Sequence, residues 1–310
     1  MKILVVGSGG REHALAWKLA NDSMQPELYC APGNAGTAEL GLNVNLAVTD
    51  LGGLCDWCHV ERPDLVVIGP EAPLCAGLTD RLEADGLRVF GPNRAAAELE
   101  GSKEFAKEVM AAAGVPTSAY ESFTDADAAC AYVRERGAPI VVKADGLAAG
   151  KGVRVAETVE QAEEAIRDAL EANAFGSAGG RVVIEDFLVG EEASILALID
   201  GEHIVLLASS QDHKRIFEKD EGPNTGGMGA YSPASIVNEV VREKVIREVY
   251  EPMLAELKKR GITYKGVLYA GLMIQDDQPA VVEFNCRFGD PETQAVLARW
   301  DGDMLPALEA

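Results

Sequence analysis

The sequence predicts an α/β protein, with a parallel α/β domain first and a mixed α+β region after it. The length of 310 residues exceeds what one hydrophobic core usually serves, so two domains are expected. The first hundred residues alternate short apolar runs with helical stretches, which is typical of a parallel sheet. From Ile140 onward, strands and helices follow one another around a glycine-rich loop, which indicates a small α+β unit, interpreted as a lid.

The composition is that of a folded cytoplasmic protein. Apolar residues make up 47% and charged residues 25% of the chain. The net charge of -22 argues against a nucleic-acid partner, because a duplex repels an acidic surface. No run is long enough for a membrane span or a signal-peptide core, so a cytoplasmic location with reduced thiols is expected. In so acidic a chain, clustered lysines and arginines indicate sites for phosphate.

The predicted elements of the first domain begin with a strand and a glycine-rich turn. The strand covers Ile3–Val6, the turn covers residues 7–10 and a helix covers Glu12–Ala20. Further strands are predicted at Leu28–Cys30, Leu65–Ile68 and Val89–Phe90, and helices at Leu51–His59 and Leu74–Ala84.

The second domain is predicted to begin at the helix SKEFAKEVMAAAG, which ends at Gly114. Two strands near the end are expected to pair across the turn Asp276-Asp277. The other predicted elements are a helix at Thr158–Asn173, strands at Val182–Ile184 and Ser194–Ile199, an irregular segment at Gln211–Pro233, a helix at Val237–Arg260, and the paired strands Gly266–Ile274 and Ala280–Phe288. The last residues form an amphipathic stretch without a C-terminal cap, so we expect a truncated chain.

The stretch VVEFNCRF, residues 281–288, is the strongest candidate for chemistry. In a strand, Val281, Glu283, Asn285 and Arg287 would share one face, and the residues between them would face the core. A carboxylate, an amide oxygen and a guanidinium in a row suit a Mg2+ ion that holds a polyphosphate. The alternative is a solvent-exposed polar face. It is weakened because Asn is depleted in strands and a polar turn, GDPET, follows directly.

Two further segments have the character of a nucleotide site. Lys143 lies on a strand that runs into the loop from Gly146 to Gly152, where glycines let backbone N–H groups approach phosphate. The loop lacks the Ser or Thr of a Walker A sequence, and a flexible hairpin is the alternative. The stretch from Val183 to Ser194 places apolar residues between acids, which suits an adenine slot followed by ribose hydroxyls.

Cys55, Cys58 and His59 match a C-x-x-C-H haem-attachment pattern. The stretch is predicted to be a short helix, and nothing in the chain encodes the export that haem attachment needs. We interpret these cysteines as chance thiols on a helix.

Taken together, these segments resemble the ATP-grasp ligases, and within them the phosphoribosylamine–glycine ligase family. The resemblance covers the chain from Met1 to Ala310. It rests on GGREHA, APGNAG, GPEAP, KADGLAAGKG, QDHKR, GPNTGGMGAYS and EFNCRFGDPE.

The resemblance implies a Rossmann-like substrate-binding α/β domain at residues 1–101 and an ATP-grasp core at residues 102–310, with a lid at about 118–190. It implies ligation of glycine to 5-phosphoribosylamine with ATP cleavage, through glycyl phosphate, in purine synthesis. The cofactors would be ATP and Mg2+, with Mn2+ as an alternative metal. The expected partners are small molecules alone, and the expected state is a monomer. Family members have a further C-terminal domain that this sequence lacks, so we expect the chain to bind Mg-ATP but ligate poorly.

The resemblance also implies roles for individual residues. Glu283 and Asn285 match the family's metal ligands, and Arg287, Lys214 and Asp290 are the candidate catalytic residues. The ATP-binding candidates are Lys103, Lys143, Gly146, Gly150, Lys151, Gly152, the adenine hinge Glu185, Phe187 and Leu188, and the ribose ligand Glu192. The candidate substrate contacts are Gly9, Gly10, Arg11, Glu12, Asn34, Glu71 and Asp212.

Three alternatives remain beside this interpretation. Another ATP-grasp enzyme of purine metabolism would use a different carboxylate or amine. A Rossmann-type dehydrogenase is supported only by the turn at residues 7–10, which reads G-x-G-G and lacks the dinucleotide spacing. A nucleotide-binding regulator without catalysis is the third. The mechanism needs no histidine base. His13 is expected to have a structural role or to orient a phosphate, and His213 lies in a loop.

Overall fold

The computed structural model describes residues 1–147, 152–172, 180–218 and 221–310. The first part of the chain forms a five-stranded parallel sheet in the order β3-β2-β1-β4-β5. Its strands are β1 (Lys2–Gly7), β2 (Glu27–Pro32), β3 (Leu42–Asn43), β4 (Leu65–Ile68) and β5 (Val89–Phe90). The predicted parallel α/β domain is therefore confirmed.

The central strand β1 is buried on both faces because helices cover both sides of the sheet. Ile3 and Val5 pack with Leu15 and Leu19 of helix α1 on one side. The intervening residues of β1 pack with helices on the other side, since alternate residues of a strand point to opposite faces. The helices of this part are α1 (Gly10–Ala20), α2 (Leu51–Glu61), α3 (Glu71–Cys75), α4 (Leu78–Ala84) and α5 (Arg94–Gly101).

One predicted helix of this part is wrong. The stretch predicted as a single helix at Leu74–Ala84 is divided between α3 and α4 by Gly77, which has φ of +83°. This left-handed conformation costs glycine little, and it ends one helix before the next begins.

The helix predicted after Gly101 is present as α6 (Lys103–Ala113). Ser102 caps its N-terminus by accepting a hydrogen bond from the Phe105 amide, and Gly114 ends it with φ of +71°. A four-stranded sheet in the order β6-β9-β7-β8 follows, with α7 and α8 packed on it. Its elements are β6 (Tyr120–Phe123), α7 (Ala126–Arg136), β7 (Ile140–Ala144), β8 (Val153–Ala156), α8 (Val159–Leu170) and β9 (Val182–Asp186).

A second four-stranded sheet, in the order β11-β10-β16-β17, is antiparallel throughout. Its strands are β10 (Glu191–Ile199), β11 (Ile204–Leu206), β16 (Gly266–Gln275) and β17 (Gln278–Asn285). The predicted hairpin between the last two strands is confirmed. Both turn residues, Asp276 and Asp277, have positive φ, as a tight two-residue hairpin requires.

The long helix predicted at Val237–Arg260 is present but not regular. It consists of α9 (Glu239–Lys244), one π-helical turn at Val245–Tyr250 and α10 (Glu251–Lys259). Its apolar side packs on the β10–β17 sheet, where the hydroxyl of Tyr250 donates to the carbonyls of Ile195 and Leu268 at 2.8 and 3.1 Å.

The segment predicted to be irregular at Gln211–Pro233 contains short strands. They are β12 (Gln211–Asp212), β13 (Arg215–Phe217), β14 (Glu221–Asn224) and β15 (Ala230–Tyr231), paired as β12 with β15 and β13 with β14. Helices α11 (Glu292–Leu297) and α12 (Leu305–Glu309) end the chain and pack on the first sheet's side of the molecule. Within the described residues, no helix is both long and apolar enough to cross a membrane.

A β-bulge in β17 corrects the predicted alternation of VVEFNCRF. Gly271 pairs with Glu283 and Leu272 pairs with Val281, so Val282 is an extra residue in its strand. Val281 is consequently buried with Phe284 in the core instead of sharing the polar face. The strand also ends at Asn285, three residues earlier than predicted.

Candidate active site

The candidate site is a cavity of about 790 Å3 between the β6–β9 sheet and the β10–β17 sheet. Each of the two sheets, α6 and the segment around Asp212 contributes to its wall. The charged residues that line it are Glu71, Glu100, Lys103, Lys107, Lys143, Glu185, Asp186, Glu191, Glu192, Asp212, Lys214, Glu283, Arg287, Asp290 and Glu292. Motifs that lie far apart in the sequence therefore meet at one place.

The bulge directs the end of β17 into this cavity. Glu283 and Asn285 both line it, and Arg287 joins them from the turn after the strand. Burial raises the pKa of Glu283, but Lys214 and the other nearby cations outweigh burial and hold the pKa below its usual value. Glu283 is therefore an anion at neutral pH inside a ring of positive charge.

Arg287 is fixed by several acceptors. Its Nη2 donates to Glu100 Oε1 at 2.7 Å and to Asn285 Oδ1 at 3.1 Å. Its Nε donates to Glu71 Oε2 at 3.3 Å. Burial opposes the charge on the guanidinium, but the carboxylates of Glu100 and Glu71 raise its pKa above the usual value. A planar guanidinium suits this arrangement, because its donors form a rigid fork.

Two lysines enter the cavity from the other side. Lys103 starts α6 and donates from Nζ to the carbonyl of Gly146 at 2.8 Å. Burial lowers its pKa, against the attraction of Glu283. Lys143 donates from Nζ to the Val282 carbonyl at 2.9 Å, so it contacts the bulge itself. Gly152 lines the cavity with Gly146, whereas Gly150 and Lys151 lie outside the described residues.

Glu185 lines the cavity, and its carboxylate is buried between two lysines. Its Oε1 lies 2.8 Å from Lys143 Nζ, and its Oε2 lies 2.9 Å from Lys107 Nζ. Burial raises the pKa of Glu185, but Lys143 and Lys107 together hold it below the usual value. Phe187 and Leu188, the other two residues predicted for the adenine hinge, line the cavity.

The far end of the cavity is acidic. Lys214 Nζ lies 3.1 Å from Glu192 Oε2 and 3.9 Å from Asp212 Oδ1. Burial raises the pKa of Asp212 and Glu292 adds to this rise, whereas Lys214 lowers the pKa. Together these effects bring the pKa to about 6. Glu292 is itself held in place, because its Oε1 accepts a hydrogen bond from the Tyr269 hydroxyl at 3.0 Å. This end offers carboxylates to a cationic group.

The predicted substrate residues of the N-terminal turn form a capped helix start. Glu12 Oε2 accepts from the Gly9 amide at 2.6 Å, and Glu12 Oε1 accepts from Arg11 Nε at 2.5 Å. The carboxylate of Asp290 accepts from the Arg11 amide at 3.2 Å. Gly10 lies beside Asp290 and Gln294. Asp290 thus connects the turn to the cavity that it lines.

Asn34 and His13 organise the loop beside that turn. The side-chain Nδ2 of Asn34 donates to the carbonyls of Ser8 and Gly9 at 2.9 and 3.3 Å. Its Oδ1 accepts from the backbone amide of Gly36 at 2.8 Å. The ring of His13 packs against Gly36, where a Cβ atom would lie 2.3 Å from the ring. His213 lines the cavity and stacks on Tyr231, with ring centroids 5.9 Å apart.

Glu100, Lys107, Tyr269 and Glu292 are among the cavity residues that sequence reasoning missed. Glu100 and Lys107 lie on helices whose pattern also fits a solvated face, so the sequence offers no signal for them. Glu292 stands in the motif EFNCRFGDPE, which was a usable signal.

The C-x-x-C-H cysteines lie on α2 as predicted, and burial raises the pKa of Cys58 to about 12.

Comparison with known proteins identifies the family. The family model for the N domain of phosphoribosylglycinamide synthetase matches residues 1–100, and the model for its ATP-grasp (A) domain matches residues 101–293. A curated phosphoribosylamine–glycine ligase of Escherichia coli O6:H1 is 55% identical over 308 residues, which cover 98% of this chain and 72% of the relative. A curated phosphoribosylamine–glycine ligase of Xanthomonas axonopodis pv. citri is 57% identical and is covered over 73% of its length.

A solved structure agrees. The phosphoribosylamine–glycine ligase of Thermotoga maritima superposes with a TM-score of 0.84 at 34% identity, over 96% of this chain and 72% of that one. With its parallel N-terminal sheet, ATP-grasp core and composite cavity, the chain belongs to the phosphoribosylglycinamide synthetase family.

Proposed function

We propose that this chain ligates glycine to 5-phosphoribosylamine and forms glycinamide ribonucleotide, ADP and phosphate through glycyl phosphate. The proposal follows from membership of the family and from one observation of the cavity. Glu283 and Asn285 face Lys103, Lys143 and Lys214 across one space, so a metal site and a polyphosphate site adjoin. A carboxylate activated by ATP is the chemistry that such an arrangement suits.

The protein's task in this reaction is to position and neutralise. The glycine carboxylate attacks the γ-phosphate in line, and ADP leaves. The amine of phosphoribosylamine then attacks the acyl carbon, and inorganic phosphate leaves with the bonding electrons. An amine and an acyl phosphate are a competent pair, so no histidine base is required. Burial in the cavity excludes the water that would otherwise hydrolyse the acyl phosphate.

The donor set fits a hard divalent cation. Glu283 supplies a carboxylate and Asn285 an amide oxygen, and Mg2+ commonly takes one or two protein ligands and completes its shell with substrate phosphates. The ion would neutralise charge on the transferring phosphoryl group. Mg2+ is proposed as the physiological ion, with Mn2+ as a substitute.

The nucleotide is proposed to lie with its phosphates at Lys103 and Lys143. Phe187 and Leu188 would wall the adenine, and Glu192 would accept from the ribose hydroxyls. Gly146, Gly150, Lys151 and Gly152 are proposed to close over the phosphates as part of a lid at about residues 118–190. In support, Gly146 and Gly152 line the cavity, and the β6–β9 sheet forms one of its walls.

The two other substrates are proposed to bind at opposite ends. Asp212 and Glu292 would accept from the glycine ammonium group, with Lys214 and Arg287 stabilising the acyl phosphate. Asn34, Glu71 and the turn containing Gly9, Gly10, Arg11 and Glu12 would face the phosphoribosyl group, with Asp290 between the two ends. The division at residues 101 and 102, a monomeric state and a cytoplasmic location also remain predictions.

The test measures ADP release with each combination of glycine, phosphoribosylamine and ATP. The proposal expects glycinamide ribonucleotide in equal amount to ADP, only when all three are present. Replacement of glycine by other small acids should abolish ligation. If another carboxylate supports faster ADP release than glycine does, the chain is an ATP-grasp ligase of different specificity. If ATP binds but no acid or amine stimulates its cleavage, the chain is a nucleotide-binding regulator.

A further inference from the structure

Lys107 is a buried lysine in the middle of α6. It is 2% exposed, lies one helical turn after Lys103 and belongs to no motif of the sequence analysis. A buried lysine is costly unless it is paired and hydrogen-bonded, so its presence beside the cavity needs an explanation.

All donors of Lys107 are already engaged. Nζ donates to Thr117 Oγ1 and to Ser118 Oγ, each at 2.8 Å, and lies 2.9 Å from Glu185 Oε2. An ammonium group has three N–H donors, so none remains for a nucleotide. Ser118 also donates to the same Glu185 oxygen, at 2.7 Å. Lys107 therefore acts on Glu185 and not on a ligand.

Lys143 has the opposite balance. Its Nζ donates to the Val282 carbonyl at 2.9 Å and lies 2.8 Å from Glu185 Oε1 in an ion pair. Of the three donors of this ammonium group, at least one is left for the cavity that Lys143 lines. Lys107, Glu185 and Lys143 are each 2–3% exposed, so solvent screens this cluster little. Two lysines and one glutamate carry a net charge of +1.

We infer that Lys107 is a positioning residue for ATP: it neutralises Glu185, so that the charge of Lys143 stays available to the nucleotide phosphates. Without Lys107, Glu185 would neutralise Lys143 and draw its ammonium away from the cavity. The same network holds the metal-binding strand, because Thr117 Oγ1 donates to the Val281 carbonyl at 2.6 Å and Lys143 contacts the bulge. This inference rests on the proposed use of ATP by the cavity.

The first experiment compares ATP affinity, by calorimetry with Mg2+ present, in the parent chain and in Lys107→Met. We expect affinity to fall about tenfold or more, as one buried charge near a polyphosphate implies. Lys107→Arg keeps the charge and should recover most of the loss. Lys258→Met, which changes a lysine whose side chain is 77% exposed, is the control and should leave affinity unchanged.

A double variant separates charge from packing. In Lys107→Met with Glu185→Gln, the net charge returns to +1 at Lys143, so ATP should bind more tightly than to Lys107→Met alone. A role of Lys107 in packing only predicts that the second change makes binding weaker still. If Lys107→Met does not fold, the pH dependence of ATP affinity in Lys107→Arg still decides the matter.

The pH dependence gives a readout that packing would not move. Burial lowers the pKa of Lys107 to about 8; Lys143 adds to this shift and Glu185 opposes it. The titratable side chain of Tyr120 also faces Lys107, with its ring 5.7 Å from Nζ. ATP affinity should therefore fall above pH 8 in the parent. The part of that fall due to Lys107 should be absent in Lys107→Arg, because arginine stays charged.

The outcomes distinguish the two proposals. If the parent chain does not bind ATP, both the proposed function and this inference fail. If the parent binds ATP and Lys107→Met binds it equally well, the inference fails while the proposed function stands.

Discussion

The replacement Arg287→Lys tests whether the fork of the guanidinium organises the site, because it keeps the charge and removes the geometry. Arg287 donates to Glu100 at 2.7 Å, Asn285 at 3.1 Å and Glu71 at 3.3 Å. A lysine has one donor nitrogen and cannot reproduce the planar arrangement in which Nε and Nη2 contact the two carboxylates. About two charge-assisted hydrogen bonds are lost, which corresponds to roughly 3 kcal/mol of unfolding free energy.

Urea and thermal unfolding measure this loss. For a chain of 310 residues, a destabilisation of that size should lower the melting temperature by about 5 °C. Arg247→Lys is the matched control, because the side chain of Arg247 is 66% exposed and pairs with a neighbouring glutamate. It should change stability by less than about 0.5 kcal/mol. Turnover should fall by about a hundredfold or more at a temperature where both proteins are folded. If Arg287→Lys matches the parent in both measurements, the fork has no role.

Three further outcomes are expected. Glu283→Gln should lower turnover at least about a hundredfold and raise the Mg2+ concentration needed for half-maximal rate. The near-ultraviolet circular dichroism should be unchanged, because the fold is kept. Near-normal turnover would exclude the metal role. Because the pKa of Asp212 is raised to about 6, its carboxylate is mostly ionised only above that pH. The value of kcat/KM for glycine should therefore rise through about pH 6. This rise should be absent in Asp212→Asn. Gly69→Ala places a Cβ atom 2.1 Å from Glu12 Oε1, which would displace the Glu12 side chain. The variant should therefore raise the KM for phosphoribosylamine and not that for ATP. An equal rise for both substrates would contradict the proposed binding position of phosphoribosylamine.

Much of the fold could be predicted because local chemistry and global packing agree. The β1 strand is apolar on both faces, as a central parallel strand requires, and α6 has both a Ser cap and a glycine end. The β16–β17 hairpin follows from a turn that tolerates positive φ. Short strands such as β12 and β15 could not be predicted, since two residues carry no periodicity.

The site shows where sequence patterns end. Glu283, Asn285 and Arg287 line one cavity, yet the alternation that suggested a shared face fails at Val281. A bulge depends on tertiary hydrogen bonds, here from the Val281 amide to the Pro116 carbonyl and from Lys143 to the Val282 carbonyl, and no local signal encodes them.

The partners of the candidate catalytic residue Arg287 could not be predicted either. Glu100 accepts hydrogen bonds from both Arg287 and the Cys286 amide, at 2.7 and 2.8 Å, although it precedes them by more than 180 residues. A glutamate on a helix is usually solvated, so only the tertiary structure shows that this one is a buried partner. The same holds for Lys107.

The most direct test of the central claim is the stoichiometry of product against ADP, with labelled glycine, phosphoribosylamine and Mg-ATP. The account predicts one glycinamide ribonucleotide for each ADP, and no ADP above background when either glycine or phosphoribosylamine is omitted. Release of ADP without ligated glycine, or equal ligation of an unrelated acid, would contradict it.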